Sequence, residues 1–176
     1  KPLPPLHPAT RKPMTAEDLS EIFSKECAKQ ELDCEHAWID IPEEVLDMYK
    51  YYRSTPLVRA YALEKALDTP AHIYFKNESV NPLGSHKVNS AIPQCYYCKK
   101  EGVTNVTTET GAGQWGAALS YAAKVYGLEA AVYQVKISMQ QKPYRSLIMK
   151  TFGAMVEGSP SMSTRAGKDI VTRDPT

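Results

Sequence analysis

A lysine and a glutamate in two short segments carry most of the chemistry this sequence can offer. Lys87 sits in Gly84-Ser85-His86-Lys87-Val88-Asn89, a polar turn that opens a helical pattern. Glu109 stands in Thr108-Glu109-Thr110-Gly111-Ala112-Gly113-Gln114-Trp115-Gly116, where a carboxylate precedes a glycine-rich run of backbone N–H donors. An amine nucleophile, a proton-transfer group and an anion cradle are the parts that carbonyl chemistry on an amino acid requires. The positive end of a helix disfavours a cation. That field, with partial burial, is expected to lower the ammonium pKa of Lys87 and free the neutral amine for a Schiff base. Ser85 and His86 can donate to a phosphate beside the helix-start N–H groups, and Asn89 can hydrogen-bond a phenolic oxygen near the imine.

Each segment also has an ordinary reading. A lone lysine after a turn is usually solvated. Gly111, Gly113 and Gly116 match the spacing of a dinucleotide fingerprint after a strand. Two features argue against that. Glu109 would face a pyrophosphate and repel it, and the next strand ends at Lys136, not at an acid for the ribose hydroxyls. An NADP-type site would tolerate that lysine. The better reading is a nest of N–H groups at a helix start that holds one small carboxylate, with Glu109 near the reacting end as general acid/base. Lys142 and Arg145 read as solvated or ion-paired, His7 and His36 as surface residues, His72 as a strand start and Trp38 as packing.

The elements that must position these segments follow from pattern. Five prolines in the first 14 residues (Pro2, Pro4, Pro5, Pro8 and Pro13) predict an extended arm. Thr15 reads as an N-cap with Asp18 three residues on, followed by Leu19, Ile22, Phe23 and Cys27 at helical spacing. Pro42 fits the first position of a second short helix. Residues 1–52 form this mostly helical and extended region, and residues 53–176 an α/β core. In the core, His72–Lys76 and Val103–Thr108 read as strands, and residues 86–101 as a helix kinked at Pro93. Gln114–Tyr126 reads as a helix ended by Gly127, and Ala130–Val135 as a strand. Pro143 opens a helix that Gly153 closes, Ala154–Glu157 is a strand, and Ser163 caps a last helix. Strands alternating with helices predict a parallel sheet covered on both faces, with ligands beyond the carboxyl ends of the strands. Lys87 and Glu109 each follow such an end.

The net charge of +1 gives no reason to expect nucleic acid or an anionic membrane as partner. No apolar run approaches the roughly 20 residues of a membrane helix, and no signal-peptide pattern opens the chain. Cys95 and Cys98 form a C-x-x-C inside a helical pattern with no second such pair, so they and Cys27 and Cys34 read as ordinary thiols in a reducing cytoplasm.

Arg53-Ser54-Thr55-Pro56-Leu57, Gly84-Ser85-His86-Lys87-Val88-Asn89 and Glu109-Thr110-Gly111-Ala112-Gly113-Gln114-Trp115-Gly116 together resemble the tryptophan synthase β chain. The proline-rich arm, Trp115 where the commoner type has His, and Gln141-Lys142-Pro143-Tyr144-Arg145 resemble its second, divergent type. The resemblance implies the fold type II architecture of pyridoxal-phosphate enzymes and a β-replacement joining L-serine and indole into L-tryptophan and water. It implies that pyridoxal 5'-phosphate is bound covalently at Lys87, which also takes the Cα proton of serine. Ser85, His86 and Asn89 would lie around the cofactor. Glu109 would assist loss of the serine hydroxyl and then activate indole. Thr110, Gly111, Ala112, Gly113, Gln114 and Trp115 match the loop that holds the amino-acid carboxylate. A homodimer and an α chain are the partners implied. The family's second glycine-rich loop, its polar residue at the pyridine nitrogen and its monovalent-cation site find no match. The chain is therefore expected to be the N-terminal part of a larger two-domain enzyme, truncated and inactive alone, with no metal of its own. Serine or threonine dehydratases and cysteine synthases are rivals within the cofactor class, without the glutamate beside the carboxylate loop. A non-catalytic nucleotide-binding module is the rival outside it.

Overall fold

The structure is a computed structural model that describes residues 3–174. Its centre is a three-stranded parallel sheet of β3 (Asn105–Thr110), β4 (Glu129–Val135) and β5 (Met155–Ser159), in that spatial order. Register pairs Thr110 with Gln134 and Gln134 with Gly158. Strand β3 alternates strictly. Asn105, Thr107 and Glu109 are exposed, while Val106, Thr108 and Thr110 turn inward, as the two-residue period of a strand dictates.

Helix α6 (Gln114–Tyr126) covers the inward face. Ala117, Ala118, Ala122 and Ala123 are buried on it, and such small side chains let the helix lie close to both neighbours. One neighbour is α5 (Val88–Lys100), which buries Val88, Ala91, Ile92 and Cys95. The other is the sheet, where Ala117 meets Val132, together with Met149 of α8 (Pro143–Thr151). Gly127 ends α6 with φ +67°, a left-handed turn that a side chain would strain. Helices α7 (Lys136–Gln141) and α9 (Arg165–Arg173) complete this half, and Thr164, not Ser163, caps α9 by accepting from the Gly167 N–H at 3.0 Å.

The expected α/β class holds, and several local expectations change. The run ending at Lys76 is not part of the parallel sheet. Tyr74–Lys76 (β2) pairs antiparallel with Leu57–Arg59 (β1) in a separate ribbon, bridged by a short helix α4 (Tyr61–Ala66). The first predicted helix is two, α1 (Ala16–Ser20) and α2 (Lys25–Leu32), because Ser24 takes an extended conformation and caps the second through the Cys27 N–H. Thr15 and Asp18 do form the capping box. Pro42 sits at the N-cap of α3 (Glu43–Lys50), one position earlier than expected. The proline-rich arm folds back on itself through a Leu6–Pro13 bridge and a Met14 N–H to Pro5 carbonyl bond. Trp38, expected in packing, is 91% exposed. Pro93 stands within α5 without ending it.

The N-terminal helices dock on α5. Glu101 at its end accepts from the Lys25 and Glu26 N–H groups at 2.9 and 3.0 Å, an anion at the positive end of α2. Burial pushes the Cys95 thiol up to about 12 and raises Cys27 and Cys98 as well, so these thiols stay protonated and weakly nucleophilic. Among the described residues no helix is long and apolar enough to cross a membrane.

Candidate active site

Strand β3 delivers Glu109 and Thr110 to the edge of a depression of about 450 Å3, and the turn behind them supplies its floor. Lys87, Glu109, Thr110, Gly111, Ala112, Gln114 and Trp115 line it. The amine, the carboxylate and the glycine-rich turn, remote in sequence, therefore share one surface. Glu109 is exposed and Lys87 half-buried. Among the sequence-predicted residues, Gly113, Ser85, His86 and Asn89 lie outside this lining.

The turn is shaped by what its glycines lack. Gly113 has φ +93°, and a Cβ there would lie 2.8 Å from Cβ of Arg145 and 3.1 Å from Nε2 of Gln134. A Cβ on Gly116 would come within 2.6 Å of the Met149 sulfur, 2.7 Å of Val132 and 2.9 Å of Thr110. Gly116 is thus needed to let α6 approach the sheet. Gly111 has nothing within 4 Å, so its neighbours impose no such demand. Thr110 is 2% exposed, and its hydroxyl accepts from the Gly116 N–H at 3.2 Å, which fastens the first turn of α6 to the strand end. The Trp115 indole N–H donates to the Thr108 hydroxyl at 2.9 Å. Trp115 also lines a second hollow of about 420 Å3, between the α1–α2 turn, α5 and β3.

Donors without acceptors collect here. Among the described residues none accepts from the N–H of Gly111, Ala112, Gly113, Gln114 or Trp115. Gln134 is fully buried next to Gly113. Its carbonyl accepts from the Ser146 hydroxyl at 2.9 Å, but its Nε2 has no partner. Buried donors left unpaired are costly and ask for an acceptor. A carboxylate or phosphate is such an acceptor, and a helix N-terminus favours its charge. Arg145 adds a half-buried guanidinium whose Nη1 reaches the Leu83 carbonyl at 3.5 Å. It makes no ion pair among the described residues. Gln134 and Arg145 escape sequence reading because nothing in their local pattern distinguishes them from a strand residue and a helix cation.

The loop carrying Lys87 is held differently. The Asn81 side chain accepts from the Leu83 and Ser85 N–H groups at 3.0 and 3.3 Å and donates to the Ser85 carbonyl at 2.8 Å. Ser85 is buried, and its hydroxyl accepts from the Lys87 N–H at 3.4 Å. Lys87 begins α5 with helical φ and ψ of −60° and −27°. His86 is exposed. Asn89 is engaged on both sides, accepting from the Tyr52 hydroxyl at 3.1 Å and donating to Glu78 at 3.1 Å. Among the described residues no group of three or more His, Cys, Asp or Glu is arranged to hold a metal ion.

An amine and a carboxylate lining one depression, beside free anion donors, are the donor set that a phosphorylated aldehyde cofactor and an amino acid would use together. Residues 48–173 match the family model for pyridoxal-phosphate dependent enzymes, and the chain belongs to that family. Within it, the sequence is 54% identical over 172 residues to tryptophan synthase beta chain 2 of Thermotoga maritima, covering 98% of this chain and 40% of that one. The corresponding protein of Aquifex aeolicus is 51% identical, and the tryptophan synthase beta chain of Thermococcus onnurineus 50% identical, each with 98% of this chain and 39% of the relative covered. The chain thus spans about two fifths of the length of these relatives. The crystal structure of a pyridoxal 5'-phosphate-dependent aspartate racemase superposes with a TM-score of 0.58 at 21% identity, over 76% of this chain and 41% of that one, a likeness of fold alone.

Proposed function

We propose that these residues serve a β-replacement in which L-serine and indole become L-tryptophan and water. The observation that carries the reading is the single depression shared by Lys87, Glu109 and the Gly111–Trp115 donors. When bound, pyridoxal phosphate supplies an electron sink for negative charge developing at the amino-acid Cα. Lys87 Nζ would hold the cofactor covalently and, as a free amine, would take the Cα proton of serine. The N–H groups of Gly111 to Trp115 hold the substrate carboxylate, which fixes Cα and Cβ relative to Glu109. The Glu109 carboxyl then gives a proton to the departing serine hydroxyl and, as carboxylate, takes one from indole. Ser85, His86 and Asn89 serve around the cofactor. Because the chain spans two fifths of its relatives, the 176 residues alone are expected to be inactive and to hold the cofactor loosely. A second copy and an α chain are the proposed partners of the whole protein.

Full-length protein carrying these residues, given pyridoxal phosphate, L-serine and indole, should release L-tryptophan. Glu109→Gln should slow that release by about 10²- to 10⁴-fold and still allow borohydride to fix the cofactor on Lys87. Serine consumed to pyruvate and ammonia with indole untouched would replace this reading by a dehydratase.

A further inference from the structure

We propose that Glu78 is the positioning residue for Lys87, an acceptor hub that ties three chain segments together behind the amine. This rests on the reading that Lys87 carries the cofactor. Glu78 lies in the short 3-10 turn Glu78–Val80, after the β1–β2 ribbon and before the Asn81–Lys87 loop. It is half-buried and makes no salt bridge among the described residues. Its Oε1 accepts from the buried Thr55 hydroxyl at 2.6 Å. Its Oε2 accepts from Asn89 Nδ2 at 3.1 Å and from Asn81 Nδ2 at 3.4 Å.

Each donor governs a different part of the site. Thr55 fixes the segment entering the ribbon, and its carbonyl also receives the Lys76 ammonium. Asn81 organises the whole loop that leads to Lys87. Asn89 lies on the first turn of α5, two residues beyond Lys87, and carries the Tyr52 hydroxyl on its other side. Tyr49 donates to the Asn89 carbonyl as well. Lys87 therefore sits between two asparagines whose amide N–H groups point to one carboxylate. Such a carboxylate is held in its charged, accept-only form, and hydrogen bonds from Thr55, Asn89 and Asn81, with the nearby Arg53 charge, keep its pKa below the usual range. A reactive group is only as well placed as the residues that lock its backbone.

The test uses full-length protein and two readouts: hydrogen exchange of residues 81–89 in cofactor-free protein, and the rate at which borohydride fixes pyridoxal phosphate on Lys87, counted by mass spectrometry. Glu78→Ala should raise exchange in that segment and slow fixation at least tenfold. Glu78→Gln should restore more than half of both, since its amide can accept from Asn89 and donate to Thr55 Oγ. Thr55→Val, which removes the shortest of the three bonds and leaves Glu78 in place, should give an intermediate result. Unchanged exchange and fixation in Glu78→Ala would overturn the proposal, as would a Glu78→Gln protein as defective as Glu78→Ala. Absence of any fixation in the unaltered protein would strike the cofactor reading, and the exchange arm would still decide whether Glu78 holds the loop.

Discussion

The two segments that meet at the depression are built on opposite principles. The Lys87 loop is held by polar side chains: Asn81, Ser85, Asn89 and the Glu78 carboxylate supply its bonds. The Thr110–Gly116 turn is held largely by missing side chains, with Gly113 and Gly116 letting the Arg145, Gln134, Met149 and Val132 side chains approach where any Cβ would collide. A loop made of hydrogen bonds can adjust by tenths of an ångström and can be tuned by charge. A turn made of close contacts is rigid and indifferent to charge, but intolerant of volume. The division suits the chemistry proposed, in which one side presents a mobile amine and the other a fixed anion cradle.

Three substitutions or conditions sharpen that contrast. The largest effect is expected from Lys87→Ala, which should abolish covalent retention of pyridoxal phosphate with the melting temperature unchanged within about 2 °C, since a half-buried lysine at a helix start holds little of the core. Retained borohydride-fixable cofactor at another residue would break the assignment. Next comes Gly116→Ala. Its new methyl would press on Met149, Val132 and Thr110, and overpacking of this kind costs about 1–3 kcal/mol, or very roughly 3–10 °C in a protein of this size. Calorimetry showing no shift would mean the turn is not contact-limited. The smallest effect is expected from acid. Glu78 is held below its ordinary pKa mainly by the Thr55 hydrogen bond. Its contribution is therefore complete above the ordinary glutamate pKa and is lost as pH falls through the depressed value. A protonated carboxyl can still donate to Thr55, so exchange at residues 81–89 should rise only slightly, while residues 110–116, which no titrating group fastens, should not change.

Much of this was legible in the sequence. Helix α6 follows its alanine pattern from Gln114 to Tyr126, and Gly127 stops it where a left-handed residue is required. The two chemical segments were visible because amines, carboxylates and glycine runs are recognisable in one dimension. The sheet partner of Tyr74–Lys76 was not, because a short aromatic run carries no mark of parallel or antiparallel pairing, and its partner Leu57–Arg59 is only three residues long. The break between α1 and α2 lay in Ser24, whose capping role competes with an apolar spacing that would otherwise continue the helix. Glu78, Gln134 and Arg145 meet partners such as Thr55, Ser146 and Leu83 that no local pattern marks, so their surroundings alone gave no signal.

Trp115 stands between the depression and the hollow behind it, with its indole N–H tied to Thr108. The only other tryptophan, Trp38, is open to solvent. The protein thereby carries its own optical reporter. A soluble quencher such as acrylamide should silence Trp38 first, and the emission that survives should come from a ring in contact with both compartments, shifting when either is filled.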